Sequence, residues 1–379
     1  MTPTIMHLQR HNKKLRGLLA AAVTFLLAAR ALAGDPAPAT SDHLKKWLEK
    51  FPDADANHDG ILTPAEIWEH LATAPQRRAE QLKKSPAAPK GKMSPKAAAP
   101  ALPPPDHANV RYGPHERNVL DFWPAKTGRP APLLVYIHGG GWTGGDKNTL
   151  APVVLAECLE AGMAVAAINY RFTTTAMLPA PHRDSARAIQ FLRAKAAEWN
   201  FDPKRVATYG GSAGAGLTLW LAFHDDMADP ASADPIARQS TRLSCGATIG
   251  GQSTYDPGVI TEWIGESAAR HAVFHPAYGV KSFEELADPK LQPLYDEVSA
   301  IKHLTADDPP IFQIYTEPNA PLTPNARIGQ GMHHPIFGLK LKAAMDRLKI
   351  ECVYFHTIEN QANSNTEMVK FFRKQFGLP

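Results

Sequence analysis

The five residues Gly210-Gly211-Ser212-Ala213-Gly214 constrain this chain more than any other stretch. They stand between a β-like run at 205–209 and a helix-like, almost wholly apolar run at 213–224. A strand that passes into a helix without a loop must turn sharply, and glycines around a single serine supply the room. The result is a G-x-S-x-G elbow that leaves the Ser212 hydroxyl exposed at the end of a parallel strand. A second glycine string, His138-Gly139-Gly140-Gly141-Trp142, follows another apolar run at 133–137. Lacking Cβ atoms, such a loop approaches a bound group closely and turns main-chain N–H groups toward negative charge. Either string alone is a weak signal. Both, in this order and each after a strand-like run, point to one architecture.

From about residue 106 the chain alternates. Strand-like apolar runs occur at 118–123, 133–138, 163–170, 205–210, 246–250, 310–316 and 350–355, with helical periodicity at 149–161, 184–199, 213–224, 335–349 and 364–376. This pattern predicts an α/β domain over 106–379, a mostly parallel sheet with helices on both faces. The interval 253–309 has no clear strand but carries Trp263, Phe274, Tyr278 and Tyr295. A long insertion between core strands reads as a lid or substrate-side cap.

The N-terminal quarter differs. Residues 1–33 combine five basic side chains and no acid with an apolar run at 18–29 and Ala31-Leu32-Ala33. That is the three-part layout of a secretory signal peptide, and the run is too short for a comfortable membrane span. Export to a periplasm or beyond is expected. The formal charge of +4 resides in this segment, leaving the remainder at −1. Nothing in that balance supports nucleic-acid binding. Residues 34–75 hold a twelve-residue loop with the EF-hand pattern, flanked by helical segments at 43–51 and 64–72. Asp55, Asn57 and Asp59 supply oxygens at positions 1, 3 and 5, and Gly60 stands at the sharp turn. Ile61 offers its carbonyl, Thr63 occupies position 9, and Glu66 can bind through both oxygens. A single hand predicts weak, structural Ca2+ binding in a small helix–loop–helix unit. Residues 76–105, with seven prolines and seven basic side chains, read as an extended linker. Cys158, Cys245 and Cys352 sit in apolar stretches and read as buried free thiols.

Several pieces beyond the two glycine strings carry a resemblance: Tyr112-Gly113, Val119-Leu120-Asp121, Asn169-Tyr170-Arg171 and Asp307-Asp308-Pro309-Pro310. With them, the chain from about 108 onward resembles the secreted bacterial carboxylesterases of the α/β-hydrolase superfamily, related to hormone-sensitive lipase and to acetylxylan or feruloyl esterases. The resemblance implies an α/β-hydrolase fold and an exported serine hydrolase that cleaves short-acyl esters through an acyl-enzyme on Ser212. The substrate would be a small-molecule or polysaccharide ester, and catalysis would need no cofactor. It also implies an oxyanion hole formed by the N–H groups of Gly140, Gly141 and Ala213.

Two positions depart from the group's pattern. Its aspartate, a few residues past the next-to-last strand, is replaced by Asn319, and Glu317 is the nearest carboxylate. Its histidine belongs in the loop after the last strand, but 357–365 contains none. His356, at the strand end, is the expected base and Glu317 the expected acid, with His334 of the His333-His334 pair as the alternative base. His224 lies about three turns beyond Ser212 on one helix, out of reach. An amide cannot compensate an imidazolium charge, so a catalytically impaired binding protein on the same scaffold is the alternative reading.

Overall fold

The computed structural model describes residues 102–379, apart from 324 and 325, together with the isolated positions 48, 55, 58 and 60. The chain divides into two units, Met1–Ala97 and Ala98–Pro379. The expected signal peptide, and most of the EF-hand unit and linker, lie outside the described residues. No helix among the described residues is long and apolar enough to cross a membrane.

The second unit is built on one eight-stranded sheet. Its strands are β1 (His107–Arg111), β2 (Val119–Trp123), β3 (Ala131–Ile137), β4 (Ala164–Ile168), β5 (Phe201–Gly211), β6 (Cys245–Ile249), β7 (Ile311–Tyr315) and β8 (Cys352–His356). They lie in the order β1-β2-β4-β3-β5-β6-β7-β8. Only β1 with β2 and β2 with β4 pair antiparallel. The other neighbours run parallel. β1 is the strand that the sequence pattern misses: only its Val110 is a large aliphatic side chain, and it forms an edge.

The parallel strands are continuous apolar runs because helices cover them on both faces. The main helices are α1 (Pro152–Glu160), α2 (Ala180–Ala194), α3 (Ala213–Phe223), α4 (Ile336–Arg347) and α5 (Ser364–Phe376). Side chains along β3 alternate between two cores, as a strand's period of two requires. Leu133, Val135 and Ile137 join Ile189 of α2, Leu217 of α3 and Phe337 of α4. Leu134 joins Leu155 of α1 and Phe372 of α5 in the other core. α3 is buried along its whole length, which explains why it is apolar on every side. The three cysteines are buried and unpaired. Burial pushes the Cys158 thiol up to about 12, far from the reactive thiolate range.

The stretch between β6 and β7 contains short helices at Pro257–Trp263, Glu266–Ala269, Phe274–Tyr278 and Gln292–Val298. It contributes Tyr255 and His271–Val273 to the wall of a cavity at the carboxyl end of the sheet. Ligand sites of open α/β sheets lie at that end.

Candidate active site

The elbow forms where β5 meets α3. Ser212 takes φ 53° and ψ −121°, a conformation that costs a non-glycine residue about 1–3 kcal/mol. Close backbone packing holds it there. A Cβ on Gly214 would stand 2.0 Å from the Ile137 carbonyl oxygen, and one on Gly210 would stand 2.5 Å from the same atom. The Ser212 amide donates to the Ile249 carbonyl at 2.9 Å, which ties the elbow to the end of β6.

A cavity of about 630 Å³ opens above Ser212, and Gly140, Gly141, Ala213, Tyr255, Val273 and His333 help to line it. The amides of Gly140, Gly141 and Ala213 have no hydrogen-bond acceptor among the described residues. Gly140 is held at φ 106°, where a Cβ would meet the Gly144 carbonyl oxygen at 2.3 Å. Only glycine fits this turn.

Buried polar groups fix that loop from behind. His138 is fully buried and stacks on Tyr170 with ring centroids 4.3 Å apart. Its Nδ1 lies 2.7 Å from the Gly139 carbonyl and its Nε2 lies 3.2 Å from Arg117 Nη2. Burial, opposed by the Gly139 contact and reinforced by Arg117, pulls the imidazole down to about 4. His138 is therefore neutral, with Nδ1–H donating and Nε2 accepting. Arg117 also donates to the carbonyls of Tyr170 (2.8 Å) and Gly145 (3.1 Å). Beyond the turn, Lys147 makes a buried 2.7 Å ion pair with Asp121 of β2. Its amide donates to Asn169 Oδ1 at 2.6 Å, and the Tyr112 hydroxyl bonds the Asn169 carbonyl. Asp121, Asn169 and Tyr112, singled out from the sequence, thus brace the glycine loop from outside the cavity.

His333 is the histidine that meets the serine. Its Nε2 lies 2.8 Å from Ser212 Oγ. It follows the short helix Ile328–Met332, and its amide donates to the Gly329 carbonyl at 3.1 Å. Gln252 donates through Nε2 to the carbonyls of Met332 and Gly250, fixing the residue just before the imidazole. Burial holds His333 below the ordinary histidine range, while Glu317 pulls it up and Arg327 pushes it down. At neutral pH it is an unprotonated imidazole, able to accept the serine proton.

His356 does not meet Ser212, which corrects the expectation from sequence. β8 pairs it in register with Tyr315 of β7. Its Nε2 donates to the Glu317 carbonyl at 2.8 Å, so it braces the turn after β7. His334 is engaged as well: Nε2 donates to the Ala320 carbonyl and Nδ1 accepts the Ile336 amide at 3.1 Å, opening α4. The Glu317 carboxylate holds Arg327 through contacts of 2.9 and 3.0 Å. Among the described residues no carboxylate hydrogen-bonds His333, and Glu317 acts on it through space. Asn319 is exposed. The His-His-Pro sequence at 333–335 was the available signal: one histidine caps the following helix and its neighbour is left for the cavity.

In the first unit, Asp55 is buried, and its Oδ2 accepts the Gly60 amide at 2.8 Å. Gly60 has φ 77°. A first-position carboxylate gripping the sixth-position amide across a left-handed glycine fits the turn that a calcium loop needs. Asn57, Asp59, Ile61, Thr63 and Glu66 lie outside the described residues.

The sheet order, the elbow and the opposed glycine loop define an α/β-hydrolase fold. Solved structures agree. A truncated form of a carbohydrate esterase from gut microbiota superposes with a TM-score of 0.56 at 20% identity, covering 72% of this chain and 96% of its own. The acetyl ester-xyloside bifunctional hydrolase of Caldicellulosiruptor lactoaceticus gives 0.53 at 20% identity, covering 68% and 87%. Residues 120–323, more than half of the chain, match the BD-FAE family, and the chain belongs to it. Esterase LipQ of Mycobacterium tuberculosis is 28% identical over 226 residues, which are 58% of this chain and 50% of that protein. The chain spans about half, or less, of the length of the curated relatives it matches.

Proposed function

We propose that the chain is a carboxylic ester hydrolase in which Ser212 is the nucleophile and His333 the general base. The 2.8 Å contact between Ser212 Oγ and His333 Nε2, inside a cavity edged by three amides without an acceptor among the described residues, carries this reading. His333 takes the hydroxyl proton as Oγ attacks the ester carbonyl. The oxyanion that forms is received by the N–H groups of Gly140, Gly141 and Ala213, each contributing about 3–4 kcal/mol. His333 then returns the proton to the leaving alcohol, and water, activated by the same imidazole, releases the acyl group. Glu317 compensates the imidazolium charge through space. The names of its relatives, Esterase LipQ and Carboxylesterase NlhH, support ester substrates. The structural likeness to a carbohydrate esterase favours acyl groups carried on a polysaccharide. Short acyl chains are the proposed substrates, and Tyr255 and Val273 stand in the cavity wall that would receive them.

Among the described residues no carboxylate hydrogen-bonds His333, and this favours a second reading, a scaffold with impaired catalysis that binds esters. One assay separates the two. Wild-type protein should hydrolyse p-nitrophenyl acetate and take up a fluorophosphonate, and Ser212→Ala should do neither. Equal, background rates for both proteins would leave the binding reading.

The N-terminal segment supports export, to a periplasm or beyond, as the setting of this activity. Ca2+ would be held by Asp55, Asn57, Asp59, the Ile61 carbonyl, Thr63 and Glu66. The ion would supply rigidity to that loop and take no part in ester cleavage.

A further inference from the structure

We propose that His224, Glu297 and His303 form a zinc site that clasps the far end of α3 to the segment covering the cavity. One ligand atom from each residue lies within 4.8 Å of those of the other two. His224 caps the C-terminal end of α3, Glu297 belongs to the short helix Gln292–Val298, and His303 follows the single turn Ala300–Lys302. All three are partly buried.

The second ring nitrogens are already committed in the way metal-binding imidazoles require. His224 Nδ1 lies 2.9 Å from the Asp225 carbonyl, and His303 Nε2 lies 2.8 Å from the Glu297 carbonyl. A carbonyl can only accept, so each contacted nitrogen carries the proton in the neutral ring. His224 Nε2 and His303 Nδ1 are left with lone pairs, the arrangement that orients histidines on a metal. His224 Nε2 stands 3.8 Å from Glu297 Oε1, too far for a hydrogen bond. Ligand atoms on a tetrahedral zinc lie about 3.4 Å apart. Small side-chain rotations therefore bring the three donors onto one ion, with water in the fourth position. Two imidazoles and a carboxylate suit zinc better than the hard cations, which prefer all-oxygen sets.

The site is separate from the chemistry. Ser212 and His224 flank the eleven-residue α3 at its two ends, so they stand roughly 18 Å apart at 1.5 Å per residue. What the clasp reaches is the cavity wall. Between Glu297 and His303, the Ser299 hydroxyl accepts the Tyr255 amide at 2.9 Å, and Tyr255 lines the cavity. The Ile301 amide also donates to the Ser253 carbonyl at 2.9 Å. Zinc at this point would secure the base of the covering segment to the central helix.

The test uses the full chain, stripped of metal, titrated with Zn2+ by calorimetry and followed by thermal unfolding. Wild type should bind one zinc tightly. Its melting temperature should rise by about 5 °C at a hundredfold excess over Kd. His224→Gln and Glu297→Gln should each weaken binding by more than the about 10- to 100-fold typical of outer-shell changes, and abolish the thermal shift. Both variants should hydrolyse ester at the wild-type rate without metal, which certifies their fold. Zinc affinity unchanged in either folded variant, or absent from wild type, would overturn the proposal.

Discussion

At the scale of single residues, the proposed hydrolysis depends on His333 as the partner of Ser212. Its pH dependence follows from the groups around His333. Burial lowers the imidazole's pKa, so hydrolysis should rise with pH along a limb whose midpoint lies below the ordinary histidine value of about 6.5. Glu317 raises that pKa and Arg327 lowers it. The Glu317→Gln change should therefore move the acid limb to lower pH while reducing kcat, and Arg327→Gln should move it to higher pH. A stopped-flow pH–rate profile reads both directions, and a limb that shifts with neither variant would refute the electrostatic role of the pair. Ser212, Gly140, Gly141 and Ala213 were legible because local backbone chemistry demands glycine beside them. The histidine that meets Ser212 was not legible from the order of strands, because its position depends on a long excursion after β7 that folds back over the end of β6. His356 has the expected place in the order of strands, but register with Tyr315 turns it toward the Glu317 carbonyl. Spacing along a chain does not encode that choice.

At the scale of elements, the glycine loop is positioned by what lies behind it. Gly140→Ala places a methyl group 2.3 Å from the Gly144 carbonyl oxygen. The loop must then shift, and kcat should fall by about 10²- to 10³-fold, the cost of losing one oxyanion donor. Hydrolysis kinetics on a variant with unchanged circular dichroism measures this. The buried Asp121–Lys147 pair makes a separate prediction about stability. Removing one partner, as in Lys147→Met, leaves an uncompensated buried carboxylate and should cost about 3–5 kcal/mol, read as a lower urea midpoint. The central strands and the five long helices were legible because each buries a continuous apolar run or stripe. β1 was not, because an edge strand with one buried-type side chain lacks that periodicity. The short helices between β6 and β7 were legible only as an insertion, since pieces of four to seven residues show too few turns for a period to emerge.

At the scale of the whole molecule, the proposed function would join two chemistries on one chain: ester cleavage in the second unit and calcium binding in the first. Ca2+ affinity for a single hand should fall in the range of about 10⁻⁴–10⁻³ M. Glu66→Gln should abolish that binding in the full chain, by calorimetry, and leave ester hydrolysis unchanged. A parallel loss of hydrolysis would mean that the ion supports the cavity. The proposed hydrolysis requires the pairing of Ser212 with His333, and the rate of fluorophosphonate labelling of Ser212 tests that pairing most directly. In His333→Ala the labelling rate should fall by about 10⁴-fold or more, as when a serine loses its base. In His356→Ala it should stay within about tenfold of wild type, since that histidine only braces the turn. The opposite order, with labelling surviving the loss of His333 and collapsing without His356, would contradict the account.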